Sequence, residues 1–199
     1  MKPPAIDVST APTYAFGQRG VLWWGTLGMI ALEGVMFAML ITAYFYLRTR
    51  NTEWPPGFPP PYLLWGTVNL VLVLLSAIPN ELAKKAAEKF ELRKVCLWLS
   101  VCIVFGWTFL VIRYLEFRSL NVWWDSNAYG SIVWFLLGFH TVQIVTDLFD
   151  STVLLALFLK GPIKESRFVD ASENAMYWYF VVISWLPVYA VIYLAPRYF

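Results

Sequence analysis

Charge is scarce in this chain. Asp, Glu, Lys and Arg make up 14% of its 199 residues, where a soluble domain of that length carries about a quarter. So few charges cannot cover a solvated surface, which excludes an ordinary soluble globular protein. The net charge is only +2, and the basic residues fall between apolar runs instead of along one face, which excludes a nucleic-acid partner. Histidine is nearly absent. His140 stands alone, so neither a haem held by two histidines of this chain nor a zinc site of several histidines is available. The two cysteines, Cys96 and Cys102, lie in one apolar run. About 600° of helical turn separates them. They face different directions and are placed neither for a shared metal nor for a disulfide. No internal repeat is visible. Residues 1–20 are polar and Pro-rich, lack the basic-then-apolar order of a signal peptide, and read as a surface tail.

What the chain has in abundance is apolar and aromatic side chains, at 59% and 19% of residues. A spanning helix needs about 20 mostly apolar residues, and five stretches qualify, at about 21–47, 62–79, 95–115, 128–159 and 176–194. The fold class is therefore all-α integral membrane, with residues 21–199 as a five-helix membrane domain. Trp23, Trp24, Tyr62, Trp65, Trp123, Trp124, Tyr177 and Trp178 cluster near the expected ends, as in the aromatic belts of membrane interfaces. The first loop, RTRNTEWPPGFPPP, is too rich in proline for a helix and is expected to cross the surface as a stiff extended segment. The second, NELAKKAAEKFELRK, is charged and helix-prone and is expected to prolong helix two or three into water. The outer segment NVWWDS offers aromatic side chains to a partner.

Basic residues set the orientation. Lys2, Arg19, Lys84, Lys85, Lys89, Arg93, Lys94, Lys160, Lys164 and Arg167 fall on one side, against Arg48, Arg50, Arg113, Arg118 and Arg197 on the other. The N-terminus is expected to be cytoplasmic and the C-terminus outside.

Ionisable residues at membrane depth are costly and face a bundle interior or an aqueous cavity. Glu33 stands near the centre of helix one, and its helical neighbours Met29, Phe37, Leu40 and Tyr44 include no cation. Removed from water, a carboxyl group favours its neutral form, so Glu33 is expected to rest as the neutral acid. Its residues leave two readings open: a proton-exchanging group or polar contact to a headgroup or partner helix, and an acid bonded to a backbone carbonyl. On helix four, His140, Gln143, Asp147, Asp150 and Ser151 share one stripe about 100° wide. That stripe serves either helix-to-helix hydrogen bonding or a proton or headgroup site. Arg113 and Glu116 are spaced for a local ion pair at the outer end of helix three, worth little at a surface.

Four segments, in order, resemble one family. WWGTLGMIALEGVMFAMLITAYFYLR resembles the glutamate-bearing helix of haem-copper oxidase subunit III, and TEWPP the Trp-Pro-Pro turn that follows it. LEFRSL and SNAYGSIVWFLLGFH are similar to its YGS and GFH region, and AMYWYFVVISWLPVYAVIYL to its closing helix. Five helices match the short bacterial form. The chain departs from the pattern at GFHTVQ, where Gln143 stands for a second histidine. In YWYFVV, Tyr179 stands for histidine and Val182 for aspartate.

The resemblance implies a V of a two-helix and a three-helix bundle with phospholipids bound in the cleft. It implies direct contact with subunit I near its proton-uptake route, with subunit II and further respiratory-complex subunits as other partners. Haem and copper sit on the partner subunits and none on this chain. The family's membrane glutamate falls on Glu33, its Trp before Pro-Pro on Trp54, and its lipid-facing basic residue near Lys160. The implied role is stability, sustained turnover and proton delivery in aerobic electron transport, in a bacterial plasma membrane. Glu33, His140, Asp147 and Asp150 are the proton or polar candidates, and Glu33, Trp54 and Lys160 the lipid candidates. Alternatives are an accessory subunit of nitric oxide reductase or of a quinol oxidase, a small proton-coupled transporter, or a lipid-binding structural protein of another complex. The lack of a repeat and of paired broken helices weighs against the transporter.

Overall fold

The computed structural model describes residues 15–198; most of the tail expected at 1–20 lies outside them. A single 3₁₀ turn, Gly17–Arg19, leads into α1 (Val21–Thr49). Then come α2 (Leu63–Glu88), α3 (Leu92–Arg118), α4 (Ala128–Lys160) and α5 (Glu165–Tyr189). A π-helical turn, Ala190–Leu194, joins α5 to the short α6 (Ala195–Tyr198). Five helices are long and apolar enough to cross a membrane, and no strand occurs among the described residues. The chain is thus a multi-pass α-helical membrane protein.

Helices α2, α3 and α5 are longer than the apolar runs that mark them. The apolar run of α2 stops at Pro79, yet the helix continues for nine more residues, to Glu88. A proline ends a helix only where nothing holds the next turn. Here that turn is held: Asn80 Nδ2 donates to the Ala175 carbonyl at 2.9 Å, Ala83 is buried, and Ala86 and Ala87 are buried in a cluster with residues of α3, α4 and α5. Asn80→Ala is expected to lower stability by about 1–2 kcal/mol, as for a lost buried hydrogen bond, read as a lower Tm of the solubilised protein. The charged second loop prolongs both of its neighbours and shrinks to a turn at Lys89–Glu91, with Phe90 in the left-handed region at φ 55°. On the same side, α5 begins at Glu165 rather than near 176, because Phe168, Val169 and Ala171 bury an apolar face before the continuous apolar run starts.

Helices α2, α3, α4 and α5 pack around one another in a closed four-helix arrangement, and α1 lies in the groove between α4 and α5. The grouping is four plus one, in place of the two-plus-three division the resemblance implies. The physical reason is the pairing of α2 with α5, which joins the two sets into one core around Val73, Phe109, Leu136, Ile144, Val181 and Trp185. Alpha1 has only two fully buried side chains, Phe37 and Tyr44. Its outward residues Leu32, Val35 and Met39 are exposed, as lipid-facing side chains are.

The proline-rich loop after α1 is strapped down at its carbonyls. Asn127 reaches Pro56 at 3.4 Å, Asn121 reaches Pro60 at 3.2 Å, and Arg197 donates to Pro61. Prolines supply acceptors without donors, so three side chains from elsewhere complete the pairing.

Candidate functional site

Glu33 is half-buried on the face of α1 turned to α4 and α5. Gln143 Nε2 donates to its Oε2 at 2.6 Å, and the Tyr177 hydroxyl donates to Oε2 at 2.9 Å and Oε1 at 3.2 Å. A carboxyl near the middle of α1 is therefore held by an amide and a phenol, one from each helix of the groove. One turn further on, Phe37 packs edge-on to Phe139 at 4.9 Å and lies 6.5 Å from Phe180. Gln143 occupies the position where the resembled motif has its second histidine, so the departure from that motif coincides with the contact to Glu33.

The second polar cluster lies deeper and belongs to α2–α5. Arg113, Glu116, His140 and Asn69 are at most 1% exposed. Arg113 Nη1 pairs with Glu116 Oε2 at 3.1 Å. Asn69 Nδ2 donates to the same oxygen at 2.5 Å, and the Tyr193 hydroxyl donates to Oε1 at 2.5 Å. A guanidinium only donates. His140 Nδ1, 3.1 Å from Arg113 Nη2, must therefore accept, and its proton sits on Nε2, which donates to the Val181 carbonyl at 3.0 Å. The cation also lies 4.1 Å above the Trp185 ring and 4.7 Å from that of Phe109, a favourable placement for a guanidinium. The expected local surface pair is thus a buried knot of four helices and the π turn. Spacing alone indicates the pair; burial by α2, α4 and α5 makes it matter. Both ring nitrogens of His140 are engaged, so the stripe on α4 is divided between two sites.

The remaining stripe residues separate again. Asp147 is buried, Asp150 is exposed, and Ser151 accepts from Asn174 Nδ2 at 2.8 Å. Trp54 is wedged edge-on between Tyr44 at 5.3 Å and Tyr129 at 5.0 Å. Lys160 is exposed at the last residue of α4. Trp54 abuts the start of α4 and Lys160 ends it, so a helix of 33 residues, about 50 Å long, lies between them. The structure does not gather the three lipid candidates. Tyr179, where the resembled helix has histidine, donates to Glu81 on α2, and Val182 packs into the core.

Asn69, Tyr177 and Tyr193 are site residues that the sequence does not single out. Asn69 carries a usable signal, as an amide inside the apolar run GTVNLVLVLLSAIP. The tyrosines do not, because tyrosine is also common at membrane interfaces. Among the described residues no group of three or more His, Cys, Asp or Glu side chains is arranged to hold a metal ion.

Fold and site together define a five-span α-helical membrane protein with acids held inside the bundle. No family model matches the chain. Comparison with individual proteins is informative along nearly its whole length. A probable cytochrome c oxidase subunit 3 of Nocardia farcinica is 30% identical over 194 residues, 92% of this chain and 93% of that protein. One of Mycobacterium tuberculosis is 28% identical over 195 residues, with 92% and 93% covered. The cytochrome c oxidase subunit 3 of Thermostichus vulcanus is 22% identical over 178 residues, 87% of each chain. The chain belongs to the cytochrome c oxidase subunit 3 family.

Proposed function

We propose that the chain is the non-catalytic subunit III of a respiratory haem-copper oxidase, in which O₂ reduction is coupled to proton pumping. The observation that carries this is family membership along nearly the whole chain, joined to a mid-membrane carboxyl, Glu33, held by Gln143 and Tyr177. In this reading the chain contacts subunit I, with subunit II and further respiratory subunits in the same assembly, and haem and copper reside on those partners. Glu33 supports proton uptake by subunit I, phospholipid occupies the groove beside α1, and the closed α2–α5 bundle gives the complex mechanical stability. The chain sits in the bacterial plasma membrane with its N-terminus cytoplasmic. Burial of Arg113 in an ion pair removes one basic residue from the outer side and strengthens the charge asymmetry behind that orientation.

Isolation of the tagged chain from native membranes tests the assignment. A haem spectrum is expected to co-purify with it, and its absence after mild solubilisation overturns the reading. A second test concerns the Glu33 site. Tyr177→Phe and Gln143→Leu each remove one donor and leave the fold intact. Both complexes are expected to assemble and start at normal rates, then lose activity sooner during sustained turnover. Progress curves identical to the parent's count against a role for the carboxyl.

A further inference from the structure

One buried acid has no part in either cluster. Asp147 is 5% exposed, and its Oδ1 has no hydrogen-bond partner among the described residues. It lines a chamber of about 10 Å³ to which each of the four bundle helices brings a polar group: Asn80 from α2, Cys102 from α3, Ser151 from α4 and Asn174 from α5. A polar space of that size is at the lower limit for one water molecule. No Lys, Arg or His lines it. A carboxyl group sealed among helices without a cation needs a proton or another positive charge to be tolerated there.

The chamber adjoins a larger cleft. Between α1, α4 and α5, on the side of the N-terminal tail, lies a cavity of about 290 Å³ lined by Asp150, Asp170, Glu173, Asn174 and Tyr177 among apolar side chains. Glu173 is 4% exposed, and its Oε2 has no partner among the described residues. Asn174 lines both spaces. Its amide donates to Ser151 Oγ at 2.8 Å, which leaves the serine proton to point at an acceptor other than Asn174. Ser151 lies beside the Asp147 carboxyl. Acids thus line the cleft, Asn174 lies at the partition, and behind it the chamber holds a hydroxyl able to accept and give a proton, beside a carboxyl group without a cation.

We propose that Asp147 is a buried proton-exchanging site, loaded from water in the acid-lined cleft through the Ser151 hydroxyl, with Asn174 positioning that hydroxyl. On loading, a proton carried from the cleft as hydronium into the chamber passes to Ser151 Oγ, the serine proton passes to the Asp147 carboxylate, and one O–H bond forms on Asp147 as one breaks on the hydronium. Unloading is the reverse, so charge and atoms balance. The titratable groups facing Asp147 are Asp150 on its own helix, Cys102 from α3 and Tyr177 from α5. Alpha2 contributes the neutral Asn80. From α1, Glu33 reaches Gln143, one turn before Asp147 on α4. The inference deepens the proton-uptake reading and rests on it only for the use made of the proton.

Infrared difference spectra of the whole complex in native membranes, between acid and alkaline pH and in H₂O and ²H₂O, test the site. A protonated-carboxyl band that titrates and shifts in ²H₂O is expected, and it should vanish in Asp147→Asn, a near-isosteric change. Ser151→Ala should keep the band but slow its hydrogen–deuterium exchange by an order of magnitude or more, as expected for a lost positioned relay. Glu33→Gln should leave the Asp147 band in place, so failure here is distinguishable from failure of the Glu33 reading in sustained turnover. The proposal is overturned if every carboxyl band survives in Asp147→Asn, or if Ser151→Ala exchanges at the parent rate. It is also overturned if the band responds to Na⁺ or K⁺ at fixed pH, which would mark a metal-cation site.

Discussion

Glu116→Ala is expected to destabilise the protein by about 3–5 kcal/mol, because it leaves the Arg113 guanidinium buried without its counter-charge. Arg113 and Glu116 are 1% and 0% exposed, so solvent cannot replace the missing carboxylate. The loss spreads beyond the pair. Asn69 and Tyr193 both donate to Glu116, and each would be left as a buried donor in search of an acceptor. Thermal unfolding of the solubilised protein, or retention of the chain through purification, reads the effect. The companion variant Arg113→Met/Glu116→Leu removes both charges and keeps the volume apolar; such replacements are often neutral or stabilising. It is expected to recover the part of the stability lost to the uncompensated charge in Glu116→Ala, but not the part lost at Asn69 and Tyr193. A double variant as weak as the single one would mean that the knot contributes through hydrogen-bond geometry rather than charge compensation.

Gly66→Ala is expected to cost about 1–3 kcal/mol through overpacking. A Cβ at position 66 would lie 2.4, 2.5 and 2.9 Å from three atoms of the Tyr193 ring. That ring cannot swing away cheaply: it is fully buried, and its hydroxyl is held by Glu116 at 2.5 Å. The strain therefore passes into the buried ion pair and the π turn Ala190–Leu194 that presents Tyr193. Tyr193→Ala is destabilising on its own account, but adding Gly66→Ala to it should then cost little. Additive losses in the double variant would show that alanine at 66 meets something other than the ring.

Neither Gly66 nor the burial of the Arg113–Glu116 pair stands out in the sequence. Gly66 is one of eleven glycines and has no local signature. Arg113 and Glu116 are legible as a pair three residues apart, but only as a surface pair. The contacts that bury them come from Asn69, His140, Trp185 and Tyr193, and no periodicity along α3 announces those. Membrane helices make the difficulty general. In a soluble helix the buried face is apolar and the outer face polar; here lipid-facing and core-facing sides are both apolar, so pattern does not tell which side meets the bundle. For the same reason the sequence suggested a polar stripe on α4 but not its division among Arg113, Glu33 and the Asp147 chamber.

By itself the sequence determined the class of protein, the number of spans and the presence of a carboxyl group in the middle of an apolar run. Scarce charge, runs of about 20 apolar residues and a glutamate inside one of them are local properties, readable in order along the chain. The family resemblance was readable for the same reason, as ordered short motifs. Only the tertiary structure decided what Glu33 touches, since Gln143 and Tyr177 lie 110 and 144 residues away. It alone decided that α1 stands outside a closed bundle of four, and that α2 passes Pro79 without ending. It alone placed Asp147 beside a space of water size. Each of these depends on which helix faces meet, and faces that are apolar on every side carry no record of their partners until they pack.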